Sequence, residues 1–117
     1  MLSTPTPWFI SSTAPREIGI PAVVLYELEV GIARSPDPKR RRQALDTLLR
    51  LTRILPFEET SARAAAGLRA GLERTGAPIG PLDTLIAGTA LAHGATLVTH
   101  NIAEFSRVPG LRVVDWF

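Results

Sequence analysis

Pro81-Leu-Asp83-Thr-Leu-Ile-Ala-Gly-Thr-Ala-Leu-Ala-His-Gly94-Ala-Thr-Leu-Val-Thr99 is the stretch that decides the fold. Proline suits the first position of a helix and glycine suits the stop, so residues 81–93 predict a helix closed by Gly94. Ile86, Ala87 and Ala90 follow Asp83 at i+3, i+4 and i+7, all small or apolar. Thr96-Leu97-Val98-Thr99 then reads as a continuous apolar strand of the kind buried in a parallel sheet. A helix feeding such a strand through one glycine is half of an α/β unit.

The rest of the chain repeats the alternation. Ile18-Gly19-Ile20 predicts a short strand ended by Pro21. A helix is expected from Ala22 to Arg34, with Val24, Leu28 and Ile32 as its stripe. Ser35-Pro36-Asp37-Pro38 breaks the chain; Asp37 can cap the next helix and Pro38 suits its first position. That helix runs to about Arg53, with Leu45, Leu48 and Leu49 facing inward. Ile54-Leu55-Pro56-Phe57 is a second short strand. Thr60 or Ser61 opens a third helix that ends near Thr75, with Gly76 as its stop. Leu111 to Val114 forms a last strand. The fold class expected is α/β, with a central, mainly parallel sheet between helices.

Composition narrows the function classes. The 117 residues are 45% hydrophobic, which suits one globular domain. Thirteen Lys and Arg against eleven Asp and Glu leave +2, too small a charge to imply nucleic acid by itself. No cysteine is present, which excludes disulfides, a thiolate zinc site and a Cys nucleophile. No apolar run is long enough to span a membrane, and the opening lacks the basic start of a signal peptide, so a cytoplasmic protein without a membrane partner is expected. There is no Gly-rich phosphate loop. Residues 1–15 stand apart: they carry no charge and are dense in Ser, Thr and Pro.

Chemistry in a parallel α/β sheet gathers at the C-terminal ends of the strands. Glu27 borders the buried stripe of its helix, with Val24 before it and Gly31 one turn on. It is either a side chain reaching for solvent or a ligand for a cation. Asp83, in the first turn of its helix, either complements the helix dipole or serves as a ligand. Thr99, Asn101 and Glu104 follow the apolar strand directly, as a polar loop or as part of a site. His93 and His100 are too few and too unsupported for a zinc centre. Glu27, Asp83 and Glu104 are hard oxygen donors from three segments, a set that suits Mg²⁺ or Mn²⁺. Lys39-Arg40-Arg41-Arg42 opens the second helix, and residues 34–53 carry seven positive and two negative charges. Such a run is a solvated helix face or a phosphate-facing patch.

Three motifs in order make the chain recognisable: Pro21-Ala-Val-Val-Leu-Tyr-Glu27-Leu-Glu-Val-Gly31, Asp83-Thr-Leu-Ile-Ala to Gly94, and Leu97-Val-Thr99-His-Asn101-Ile-Ala-Glu104-Phe105. With Gly110 to Trp116 they resemble the PIN-domain family, and within it the VapC-type toxins of toxin–antitoxin pairs. The resemblance covers residues 16–117, with 1–15 an atypical segment. It implies a PIN-like three-layer sandwich and a Mg²⁺-dependent endoribonuclease, with Mn²⁺ as an alternative. Glu27, Asp83 and Glu104 would be the metal-binding catalytic acids, with Thr99 and Asn101 as supporting polar groups. RNA is the implied substrate, a VapB-like antitoxin the partner and a homodimer the assembly. The alternative is an inactive PIN-like module that dimerises or captures an antitoxin.

One departure stands out. The family opens with a strand ending in Asp-Thr-Asn, whereas the first acid of this chain is Glu17. The first strand is therefore expected to be missing or altered and the activity impaired. Back-translation suggests a cause. With suitable synonymous codons, Ser3 to Ser11 read two bases later gives Asp-Thr-Asn-Thr-Leu-Val-Tyr-Phe, the family's opening. Sequencing the 5′ end of the gene tests this; codons incompatible with the shifted reading would exclude it.

Overall fold

The computed structural model describes residues 9–11, by their backbone, and 18–115. The elements run β1 (Phe9–Ser11), β2 (Gly19–Pro21), α1 (Ala22–Ala33), α2 (Pro38–Leu51), β3 (Arg53–Leu55), α3 (Glu59–Arg74), α4 (Pro81–Ala92), β4 (Thr96–Val98), α5 (Ile102–Phe105) and β5 (Val113–Val114). Most expected boundaries hold to within two or three residues. The second helix stops at Leu51, because Thr52 takes an extended backbone and feeds β3. The third starts at Glu59, with Glu58 as its cap; Ser61 lies inside and accepts a hydrogen bond from the Glu58 N–H at 3.3 Å. Asp37 caps α2 as expected, accepting from the Arg40 N–H, with Pro38 in the first turn.

The sheet order is β3-β2-β1-β4-β5. β2 pairs parallel with β3, and β4 parallel with β5. The central strand departs from this rule. β1 runs antiparallel to both neighbours, with Ile10 opposite Gly19 and Phe9, Ile10 and Ser11 opposite Val98, Leu97 and Thr96. Chain length gives the reason. Only residues 12–18 join β1 to β2, whereas a parallel crossover needs roughly a dozen residues or more. Of the two expectations for the first strand, missing or altered, the second holds: the central slot is filled, by a strand of reversed direction, and the sheet edges are β3 and β5. Residues 1–8 and 12–17 of the atypical segment lie outside the described residues.

The core is built on Ile20, Val24, Leu55, Leu68, Leu72, Ile86, Leu97, Phe105 and Val108. α4 is its centre, with Thr84, Ile86, Ala87, Gly88, Thr89 and Ala90 all buried. The two threonines turn their hydroxyls back to the Gly80 and Leu85 carbonyls, so neither leaves an unsatisfied polar atom in the core. α3 lies directly against α4, and Gly88 is what permits it. A Cβ at Gly88 would come within 2.6 Å of the Ala65 Cβ and 2.8 Å of its backbone. Gly88→Ala is therefore expected to destabilise the fold by about 1–3 kcal/mol in urea unfolding, although alanine is the better helix former. An unchanged or raised stability would show that the two helices separate freely.

Candidate functional site

Three carboxylates from three elements converge at one end of the sheet. Glu27 comes from the middle of α1, Asp83 from the first turn of α4 and Glu104 from α5. The chain positions each by a different device. α1 begins directly after β2, and Glu27 lies one residue before Leu28, which is partly buried against the core. Asp83 stands beside Gly80, the residue that precedes the first turn of α4. Glu104 depends on Thr99. That fully buried side chain accepts the Asn101 N–H at 3.0 Å, turning the chain out of β4 and into α5. The Thr99 N–H donates to the Val114 carbonyl, which ties the turn to β5.

Electrostatics bind the three acids into one cluster. Asp83 is pushed up to about 8, first by burial, then by a hydrogen bond with the Glu104 side chain and by the charges of Glu104 and Glu27. Burial also raises Glu27 above the ordinary carboxylate range. Like charges this close cannot all ionise near neutral pH, so the Asp83–Glu104 pair retains a proton. Oε1 of Glu27 and Oε2 of Glu104 are buried without a hydrogen-bond partner among the described residues. A buried carboxylate oxygen left bare is costly, and a cation would supply what it lacks.

These donors fit Mg²⁺ or Mn²⁺ in type and in their two unsatisfied oxygens. They do not form a ready set of ligands: among the described residues no three Asp, Glu, His or Cys side chains are arranged to hold a metal ion as they stand. Coordination would require loss of the shared proton and a small reorientation of the carboxylates. The central strand brings no further acid. The pairing of Phe9 with Val98 places the N-terminal end of β1 at the edge where β4 leads into Thr99, and residues 1–16 contain no carboxylate.

The other candidates sort by geometry. Asn101 sits half-buried at the head of α5, and its side chain does not cap that helix. His100 lies outward, with Nδ1 3.0 Å from Oδ1 of Asp115. One member of the basic run is tied to α1. Arg42 donates to Glu29 at 2.8 Å, which joins α2 to α1, and this ion pair lowers Glu29 from the usual carboxylate range. Glu29 is two residues from Glu27, so about 200° round the helix. Lys39, Arg40 and Arg41 precede Arg42 on α2, with Lys39 and Arg40 exposed and Arg41 half-buried. The one-turn helix α5 was not legible beforehand, because four residues are too few for a periodicity.

The PIN-domain model matches residues 7–111. The chain belongs to the PIN-domain family. Within that family it is 36% identical over 97 residues to the tRNA(fMet)-specific endonuclease VapC of Salmonella typhimurium, covering 83% of this chain and 74% of that protein. It is 39% identical over 99 residues to ribonuclease VapC2 of Rickettsia felis, covering 85% and 74%. The PIN fold also appears in the crystal structure of VapBC2 from Rickettsia felis bound to a promoter DNA fragment, with a TM-score of 0.81 at 38% identity over 85% of this chain and 74% of that one. A VapBC-1 structure from Haemophilus influenzae gives 0.81 at 27% identity, covering 91% and 79%. In the PIN domain seen here α1, α4 and α5 each deliver one of the three clustered acids. No helix among the described residues is long and apolar enough to cross a membrane.

Proposed function

We propose that this PIN domain is a metal-dependent endoribonuclease, the toxin of a VapBC-type pair, acting in the cytoplasm and controlled by a VapB-like antitoxin. The observation that carries the reading is the Asp83–Glu104–Glu27 cluster with its two bare carboxylate oxygens. Relatives named as ribonucleases, and neighbours solved as VapBC complexes, support the substrate class and the partner.

Glu27, Asp83 and Glu104 would hold Mg²⁺ or Mn²⁺, which when bound supplies positive charge beside the phosphate and acidifies a water. The protein's own part is to assemble and dry the site. Thr99 fixes the turn that carries Glu104. α4 delivers Asp83 from a helix buried on most sides. The pair Asp83–Glu104 gives up its proton for both carboxylates to act, so activity is expected to rise with pH through the range set by Asp83. Thr99 and Asn101 support the loop, and Lys39, Arg40, Arg41 and Arg42 remain a secondary RNA contact on α2. A homodimer is the assembly proposed. The division into residues 1–15 and 16–117 rests on composition.

Since β1 brings no acid, low activity is expected for the chain as it stands. The assay is cleavage of a mixed RNA pool with Mg²⁺ and with EDTA. Weak cleavage lost in EDTA supports the proposal; cleavage unaffected by EDTA removes the metal. A second reading is favoured by that same missing carboxylate: a PIN module that binds the antitoxin without catalysis. Antitoxin binding with no magnesium heat in calorimetry would select it.

A further inference from the structure

Three of the arginines on α2 and α3 are neutralised by neighbours: Arg42 by Glu29, Arg63 by Glu59 and Arg69 by Glu73. Arg74 and Arg107 differ. Neither pairs with a carboxylate among the described residues, and both line one cleft of about 550 Å³. Leu68, Leu72, Ala77 and Pro109 give the cleft an apolar floor, and no acid lines it. The end of α3 would ordinarily repel an anion, but its last carbonyls are occupied. Thr75 donates its hydroxyl to Gly71 and Leu72, and the Ala77 N–H also bonds Leu72.

Arg107 ties the cleft to the backbone of the segments that carry two of the acids. The Arg107 N–H donates to the Glu104 carbonyl at 3.2 Å. Its guanidinium donates to the Pro78 carbonyl at 3.1 Å, in the loop that leads into the helix of Asp83. One arginine thus bridges the two segments that carry two of the three acids.

We propose that this cleft binds single-stranded RNA beside the acid cluster, with phosphate on Arg74 and Arg107 and a nucleobase on the apolar floor. Two cations over a floor free of acid suit a polyanion that also carries flat apolar faces. The inference rests on the ribonuclease reading and names where its substrate lies.

The test is fluorescence anisotropy of a labelled mixed-sequence RNA oligonucleotide with the full chain in EDTA, so that cleavage plays no part. Arg74→Ala with Arg107→Ala is expected to weaken binding about tenfold or more, and to lessen the salt slope by about 1.4, the share of two phosphate contacts on a single strand. Arg63→Ala, on another part of α3, is expected to bind as the parent does. Arg74→Glu alone leaves the Pro78 contact of Arg107 intact, and should weaken binding without shifting the melting temperature. If the parent binds RNA and these variants bind equally well, the cleft is not the site and the ribonuclease reading stands. If the parent binds no RNA at all, both fall.

Discussion

Asp83→Asn is expected to lower metal-dependent RNA cleavage by about 10²–10³-fold, the scale of removing one preorganised electrostatic group. The same substitution should leave the fold intact or firmer. Asparagine has the shape of the protonated acid that burial already favours at this position, and it brings no negative charge toward Glu104 and Glu27. Two measurements on one variant therefore move in opposite senses: turnover falls while melting temperature near pH 8 holds or rises. A variant that loses both would make Asp83 a structural residue of α4. One that keeps both would remove it from the chemistry.

The second large effect is in the pH dependence of stability. In the unfolded chain Asp83 titrates near 3.8, and in the fold near 8. Between those values the native state holds a proton that the unfolded state does not, so stability falls as pH rises through the window. Glu27 is raised by burial and acts in the same sense. Glu29 is lowered, so its contribution is lost only in acid below the ordinary carboxylate range and does not oppose the trend. The metal-free protein should melt roughly 5 °C lower at pH 8.5 than at pH 5.5. Millimolar Mg²⁺ should restore the loss at pH 8.5 and do little at pH 5.5, because metal and proton compete for the same oxygens. Asp83→Asn should flatten most of both responses. A melting temperature that rises steadily from pH 5.5 to 8.5 in the parent, or that ignores Mg²⁺ at both pH values, would show that the acids are not coupled.

The sequence alone determined the alternation of helices and strands, because buried strands and glycine-stopped helices leave local signatures. Pro81 to Thr99 was read almost to the residue, and Asp37 and Pro38 fixed the start of α2. The three acids were also legible, since each sits beside an apolar stripe or at the end of an apolar strand. The absence of an acid in residues 1–16 was visible in the same way.

Direction, pairing and charge coupling belong to the tertiary structure. Nothing local to Phe9–Ser11 says which way a strand will run in the centre of a sheet. That is settled by the seven residues linking it to β2, too few for a crossover, and by the slot between β2 and β4. Arg42 looked like the other members of the basic run until Glu29 on α1 took it. Arg74 and Arg107 are 33 positions apart in sequence and unremarkable there; the fold sets them on one cleft. The shared proton of Asp83 and Glu104 is likewise a property of distance and burial. A sequence records which residues carry charge, but their energies depend on what surrounds them once the chain has folded.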